Sequence, residues 1–260
     1  MTKTHDPIHQ LSRNNPWYID DQFTKQFKRP GPRAVIENRW NIFENAIRKF
    51  FSKSNIGASQ SPAKILDAGC GDGINLFGLN NMAQKNQWNV SIYGSDYNPL
   101  RLERASKFAF VKEINHSSLD TLPFEDDWYD VVLCNHVIEH IPQDKKVLLE
   151  LKRILRPKGL LILGVLNEGC ALAQLRNHVF QRSILQSTDH VNFYTEQKIS
   201  NLLTESGFLI SKIERAGFFL SHLSLNYLMT LSKPGRLLLN FFGGIFPSQC
   251  ADLIVIAFKK

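Results

Sequence analysis

"KILDAGCGDG", Lys64 to Gly73, decides the fold. An apolar run ends in Asp67, and glycines then fall at every second position: Gly69, Gly71 and Gly73. A buried strand that ends in an acid and opens into a glycine-rich loop is the first turn of a strand–loop–helix unit. Two readings are open at this point. The loop is either a tight connection or a place where backbone must come close to a ligand, which glycine permits.

Working outward, strands and helices alternate. "KILDA" precedes the helical "INLFGLNNMAQ"; "VSIYGSD" ends in a second acid, Asp96, before "NPLRLERASKFA". "VKEI" reads as a weak third strand, "YDVVLCNH" as a strong fourth and "QDKKVLLELKRIL" as an amphipathic helix that stops at "RPKG". "LLILGVL" is the fifth strand, and "LISKIERAGFF" and "DLIVIAFKK" close the set at seven. "TEQKISNLLTESGF" reads as a helix with Thr195 as N-cap and Gly207 as stop. Such alternation predicts an α/β fold: a doubly wound, mostly parallel seven-stranded sheet with helices on both faces.

Ahead of this core, residues 1–30 are polar and read as an irregular arm with a short helix. From Pro32 to Phe51 a helix is expected, because Ile36, Trp40, Phe43, Ile47 and Phe50 recur at helical spacing. Residues 1–55 are therefore an arm and helix, with Trp17 and Tyr18 as candidates for a lid, and residues 56–260 form the main domain. Residues 167–192 and 219–246 read as insertions, the second an apolar helical cap broken by Pro234–Gly235. No stretch in it reaches the roughly 18 uninterrupted apolar residues of a spanning helix. A cover over an acceptor pocket is the first reading, and a greasy acceptor or a peripheral membrane contact the second.

At 43% hydrophobic and 21% charged residues, the 260-residue chain has an ordinary globular composition. Its net charge of +7 comes from 31 Lys and Arg against 24 Asp and Glu, spread along the chain. That favours a mildly basic surface over a nucleic-acid footprint. The opening "MTKTHDPIHQ" has no apolar core, so no signal peptide is expected. Cys70, Cys134, Cys170 and Cys250 lie far apart, without a CxxC or Cys/His cluster. Buried free thiols in a reducing, cytoplasmic setting are expected, and no metal site.

In open α/β sheets, ligands bind beyond the carboxyl ends of the strands, where strand order reverses. The glycine loop departs from the dinucleotide fingerprint G-x-G-x-x-G: the third glycine comes one residue early and Ile74 takes the fingerprint position. An acid two residues before the first glycine repels a pyrophosphate and welcomes an ammonium or sulfonium. Asp96, at the tip of the second strand, can accept two ribose hydroxyls.

Together "ILDAGCGDG", "IYGSDYNP", "LPFEDDWYDVVLCNHVIEHI" and "LKRILRPKGLLILGV" resemble the class I S-adenosylmethionine-dependent methyltransferases. The small-molecule type grouped with the ubiquinone and menaquinone methyltransferases is the nearest in look. The resemblance spans Ile65 to Val165, and "DHVNFYTEQKISNLLTESGF" extends it. It implies a Rossmann-like methyltransferase fold with S-adenosyl-L-methionine as cofactor and S-adenosyl-L-homocysteine as product. Asp67, Gly69, Cys70, Gly71 and Gly73 would line the methionine part, Cys70 by packing. Asp96 would hold the ribose, with Tyr97 beside the adenine. Ser118 and Leu119 stand at the adenine-amine and ring positions, with Ser118 in place of the usual acid. Asn135 would face the sulfonium end, and Arg39 would pair with the cofactor's carboxylate.

The resemblance implies methyl transfer by in-line displacement to a small-molecule, sugar or lipid-like acceptor. His190 and His140 are the candidates for a general base. RNA or protein methylation is the alternative, opposed by "NHVI" where base-amine enzymes carry an NPPY-type tetrapeptide. An NAD-dependent oxidoreductase is opposed by Asp67 and the early third glycine. A silent module that kept the cofactor fold is left open by Ser118. The expected location is the cytoplasm, with peripheral membrane contact through 219–246 as an extension.

Overall fold

The computed structural model describes residues 19–54, 61–180, 190–218, 220 and 222–260. Trp17 and Tyr18 lie outside the described residues. Seven strands form one sheet: β1 (Ala63–Ala68), β2 (Val90–Asp96), β3 (Val111–His116), β4 (Tyr129–Asn135), β5 (Leu155–Leu166), β6 (Phe208–Ala216) and β7 (Asp252–Lys259). Their order is β3-β2-β1-β4-β5-β7-β6. β1 to β5 run parallel, and β7 enters antiparallel to both β5 and β6.

Because side chains alternate along a strand, the sheet divides its apolar residues between two layers. Ile65, Val131, Leu133, Leu160, Ile162 and Ile254 face one layer. Leu66, Val132, Leu161, Leu163, Val165 and Val255 face the other. Helices α1 (Pro30–Ser54), α2 (Ile74–Asn86) and α3 (Pro99–Ala105) cover the first face with Phe43, Ile47, Leu76, Leu79 and Leu102. Helices α4 (Asp144–Ile154) and α6 (Glu196–Glu205) cover the second with Val147, Leu148, Leu151, Ile199 and Leu203. Between β5 and α6 lies the short α5 (Ala171–Leu175), continued by a π turn over Arg176–Phe180. The 219–246 segment folds as two helices, α7 (Leu223–Leu231) and α8 (Lys233–Ile245).

Three boundaries differ from the sequence reading. α3 stops at Ala105, because the amides of Lys107 and Phe108 bond back three residues and close a tight turn. Phe108 then packs on Phe23 and Phe77. β5 starts at Leu155, before "RPKG" rather than after it. Pro157 offers no amide and Lys158 has φ +61°, so the β4 register shifts there and the strand continues. α1 runs from Pro30 to Ser54, longer at each end than the apolar stripe, and its buried residues sit inside the first layer.

Candidate active site

Strand order reverses between β1 and β4, and the tips of β1, β2 and β4 frame a crevice at that point. The glycine loop leaves β1 there. Its amides at Gly69 and Cys70 donate to the Ser95 carbonyl at 2.7 and 2.9 Å, which holds the loop against the end of β2. Gly69 has φ +83° and Gly71 φ +52°. A Cβ on Gly69 would collide with the Val137 side chain, so both conformation and space require glycine there. Across Gly71 lies the Arg101 guanidinium, delivered by α3.

Two acids meet the loop. Asp96 accepts from the Gly71 amide at 2.9 Å through Oδ2 and from the Asn98 amide at 2.9 Å through Oδ1. Each oxygen keeps a further lone pair for a hydroxyl. Asp67 is fully buried, and neither of its oxygens has a hydrogen-bond partner. Burial drives its carboxyl up to about 8, the Asp96 charge adds to the shift, and Arg101 opposes it. At the tip of β4 the side-chain oxygen Oδ1 of Asn135 is likewise buried and unpartnered, pressed against Gly164.

The crevice thus presents unsatisfied acceptors on β1 and β4. An orphaned buried acceptor costs about 1–3 kcal/mol, so the site is built for a ligand that brings donors or positive charge. The amino-acid and sulfonium portions of S-adenosylmethionine fit that demand, and a pyrophosphate does not.

A family of sequences described as a methyltransferase domain matches residues 40–212. The chain belongs to the class I S-adenosylmethionine-dependent methyltransferases. Among relatives of this methyltransferase, the mitochondrial ubiquinone biosynthesis O-methyltransferase of Schizosaccharomyces pombe is 27% identical over 186 residues. That alignment covers 67% of this chain and 64% of the relative, so the yeast protein extends well beyond the matched region. The Rickettsia typhi ubiquinone biosynthesis O-methyltransferase is 27% identical over 201 residues, 71% of this chain and 79% of its own length. Among solved structures, an S-adenosylmethionine-dependent methyltransferase from Mesorhizobium loti superposes with a TM-score of 0.55 at 16% identity. It covers 76% of this chain and 92% of its own. A [4+2]-cyclase matches at 0.52 and 15% identity, over 82% of this chain and 80% of its own. At such identities the superpositions establish the fold of the methyltransferase alone.

The remaining residues named from sequence scatter more widely. Cys70 is a buried thiol whose titration burial pushes far up, and it packs under Gly94. Gly73 precedes α2 with φ +85°. The Tyr97 carbonyl accepts from His116 Nε2 at 2.7 Å. Ser118 donates to Asp120 at 2.6 Å, and Asp120 in turn holds Lys146 at 3.1 Å. That bond keeps the Asp120 carboxyl below its ordinary range. Leu119 is buried in the second layer. Arg39, expected on the cofactor's carboxylate, is instead paired with Asp252 at 3.7 Å and approaches the His136 ring at 3.3 Å. Burial works to raise the Asp252 carboxyl, but Arg39 and His136 outweigh it and hold it low.

Beyond the end of β5 the sequence reading passed over one buried carboxylate. Glu168 lies two positions past the end of β5, almost fully buried. Its carboxylate accepts from His190 Nδ1 at 2.8 Å and from Arg176 at 3.0 Å. Burial alone would raise it, but His190 and Arg176 hold it below the ordinary carboxylate range. His190 stacks edge-on against His140, ring centres 4.7 Å apart. The adjoining segment is fastened by the Val191 and Asn192 amides, which donate to the Glu139 carbonyl at 2.9 and 3.0 Å. Both histidines therefore stand together at the carboxyl edge, next to the β4–β5 pair that carries Asn135. A carboxylate partner for "DHV" was invisible in sequence because it lies 22 residues away on another element. Among the described residues, no group of His, Cys, Asp or Glu could hold a metal ion.

Proposed function

We propose that this methyltransferase moves the methyl group of S-adenosylmethionine to a hydroxyl of a small, lipid-like acceptor, with His190 as general base. The Glu168–His190 pair carries the reading. A buried carboxylate on Nδ1 fixes the tautomer and leaves the basic lone pair on Nε2. The cofactor supplies a sulfonium-activated methyl. In one in-line step the carbon–sulfur bond breaks and the carbon–oxygen bond forms. The hydroxyl proton passes to His190 Nε2, and Glu168 stabilises the resulting imidazolium. His140, ring against ring, holds the plane of His190. Asp67 and Asn135 bind and orient, and Asp96 holds the ribose. The O-methyltransferase names of the ubiquinone relatives support oxygen as the nucleophile.

Turnover of a phenol carrying a short isoprenoid tail tests this. His190→Ala should lower kcat by roughly 10²–10⁴-fold while S-adenosylhomocysteine binds as before. Glu168→Gln should shift the rising limb of the pH profile to lower pH, because the imidazolium loses its counter-charge. Normal turnover with both substitutions sinks the reading.

An acceptor that lives in a membrane is favoured by one further observation. On α7, α8 and the residue that caps α8, the side chains of Leu228, Leu237, Phe241, Ile245 and Phe246 are each half or more exposed. No acidic residue occurs between Glu214 and Asp252, while Lys233 and Arg236 stand at the helix junction. An exposed apolar patch on a segment whose own charges are all positive suits the surface of an anionic bilayer. No helix among the described residues is long and apolar enough to cross one.

A further inference from the structure

At the amino edge of the sheet, opposite the glycine loop, a groove of about 520 Å3 opens between the end of α1, the start of β5 and the β6–β7 edge. Its floor is apolar: Phe50 and Ala46 of α1, and Ile256 and Phe258 of β7. Its rim is cationic: Lys49 and Lys53 of α1, Arg156 and Lys158 of the β5 turn, and Lys212 of β6. Glu214 is the one acid in the lining, and Lys212 already holds it at 2.5 Å. Arg156 gives one nitrogen to Asp130 at 2.7 Å and leaves Nε buried without a partner. Among the described residues Lys49, Lys53 and Lys158 make no ion pair.

Lys158 offers a clean way to test the rim. It stands at φ +61°, in the left-handed region that L side chains disfavour and glycine accepts freely. Glycine at this turn would fold with less strain, so the rim cation can be removed there by substitution without disturbing the backbone.

We propose that this groove binds a free, single-chain anionic amphiphile, with its carboxylate or phosphate among the rim cations and its alkyl part on the Phe50–Phe258 floor. Neither feature alone would select it. Scattered lysines bind any anion weakly, and an apolar groove binds any alkyl chain. A cationic rim around an apolar floor favours a ligand that joins the two. The groove lies at the end of the sheet away from Asp67 and Glu168, so the ligand is distinct from cofactor and acceptor.

Titration calorimetry of the full chain, saturated with S-adenosylhomocysteine to fill the cofactor crevice, tests the proposal with n-octyl phosphate below its micellar concentration. Saturable binding is expected. Inorganic phosphate and the uncharged octyl glucoside should each bind about tenfold more weakly or worse. Lys158→Gly is the decisive variant, because it relieves strain and leaves the fold intact. It should keep the melting temperature and weaken octyl phosphate several-fold, and Lys49→Glu/Lys53→Glu should remove binding. Three outcomes overturn the proposal: no binding of octyl phosphate, equal binding of inorganic phosphate, or unchanged affinity in both variants.

Discussion

Asp67 shows how one residue sets stability against function. Its carboxyl belongs near 3.8 in water and is pushed up to about 8 by burial. Between those values the folded chain holds a proton that the unfolded chain has lost. The contribution of Asp67 to stability therefore falls as pH rises from about 4 to about 8 and levels off above that. Asp67→Asn removes the penalty. It should raise the melting temperature at pH 8 by a few degrees, roughly what 1–3 kcal/mol does to a chain of this size. It should also abolish S-adenosylhomocysteine binding, by removing the anion proposed to meet the ligand's ammonium. Thermal melts and calorimetry on one preparation check both halves. A variant that is no more stable at pH 8 and binds normally would remove Asp67 from the site. The acid and its glycines were legible in sequence, because a strand-terminal carboxylate followed by three glycines is a local pattern. Glu168 was not legible: its role comes from contacts with His190 and Arg176 that only the folded chain brings together.

The seven strands and their mostly parallel alternation with helices were legible in sequence because each apolar run was bounded by turn residues; the spatial order and the antiparallel β7 were not. What sequence hid was how elements are tied to one another. Asp72, inside the quoted glycine stretch, is buried and accepts from the Gln22 amide at 3.1 Å and from Arg104 at 3.0 Å. Arg104 also donates to the Asp20 carbonyl at 3.0 Å. One ion pair thus fastens the N-terminal arm to the loop that lines the cofactor crevice. Arg104→Ala should release the arm and weaken S-adenosylhomocysteine about tenfold, near 1.4 kcal/mol, with a lower melting temperature too, because buried Asp72 then keeps only Arg101 as its cation. An unchanged dissociation constant would show that the arm packs beside the crevice without closing it. The α7–α8 pair carries its own expectation. Leu237→Ser/Phe241→Ser should sharply reduce sedimentation with phosphatidylglycerol vesicles, yet leave turnover of a water-soluble acceptor intact. Equal sedimentation of variant and parent would argue against a membrane face.

Across the whole molecule the buried acids and the exposed lysines of the groove fall at opposite edges of the sheet. The carboxyl edge gathers Asp67, Asp72, Asp96, Glu168 and Asp252, all buried. The amino edge carries the cationic rim around Phe50 and Phe258. If Asp67 meets the ligand's ammonium, cofactor binding at the carboxyl edge is linked to protons, because the ammonium selects the ionised form of Asp67. Below a free-state value of about 8, each unit of falling pH lowers the ionised fraction about tenfold, so affinity should fall by up to that factor between pH 7 and pH 6. The melting-temperature gain given by a fixed, saturating S-adenosylhomocysteine concentration follows from the same affinity. It should therefore be larger at pH 8 than at pH 6, even though the free chain is less helped by Asp67 at pH 8. Calorimetry at pH 7 in buffers of different ionisation enthalpy should show close to one proton released per ligand bound. Asp67→Asn should show neither the pH-dependent gain nor the proton release. A parent chain whose melting gain is flat across that range would mean that Asp67 stays protonated in the complex and donates a hydrogen bond rather than a charge.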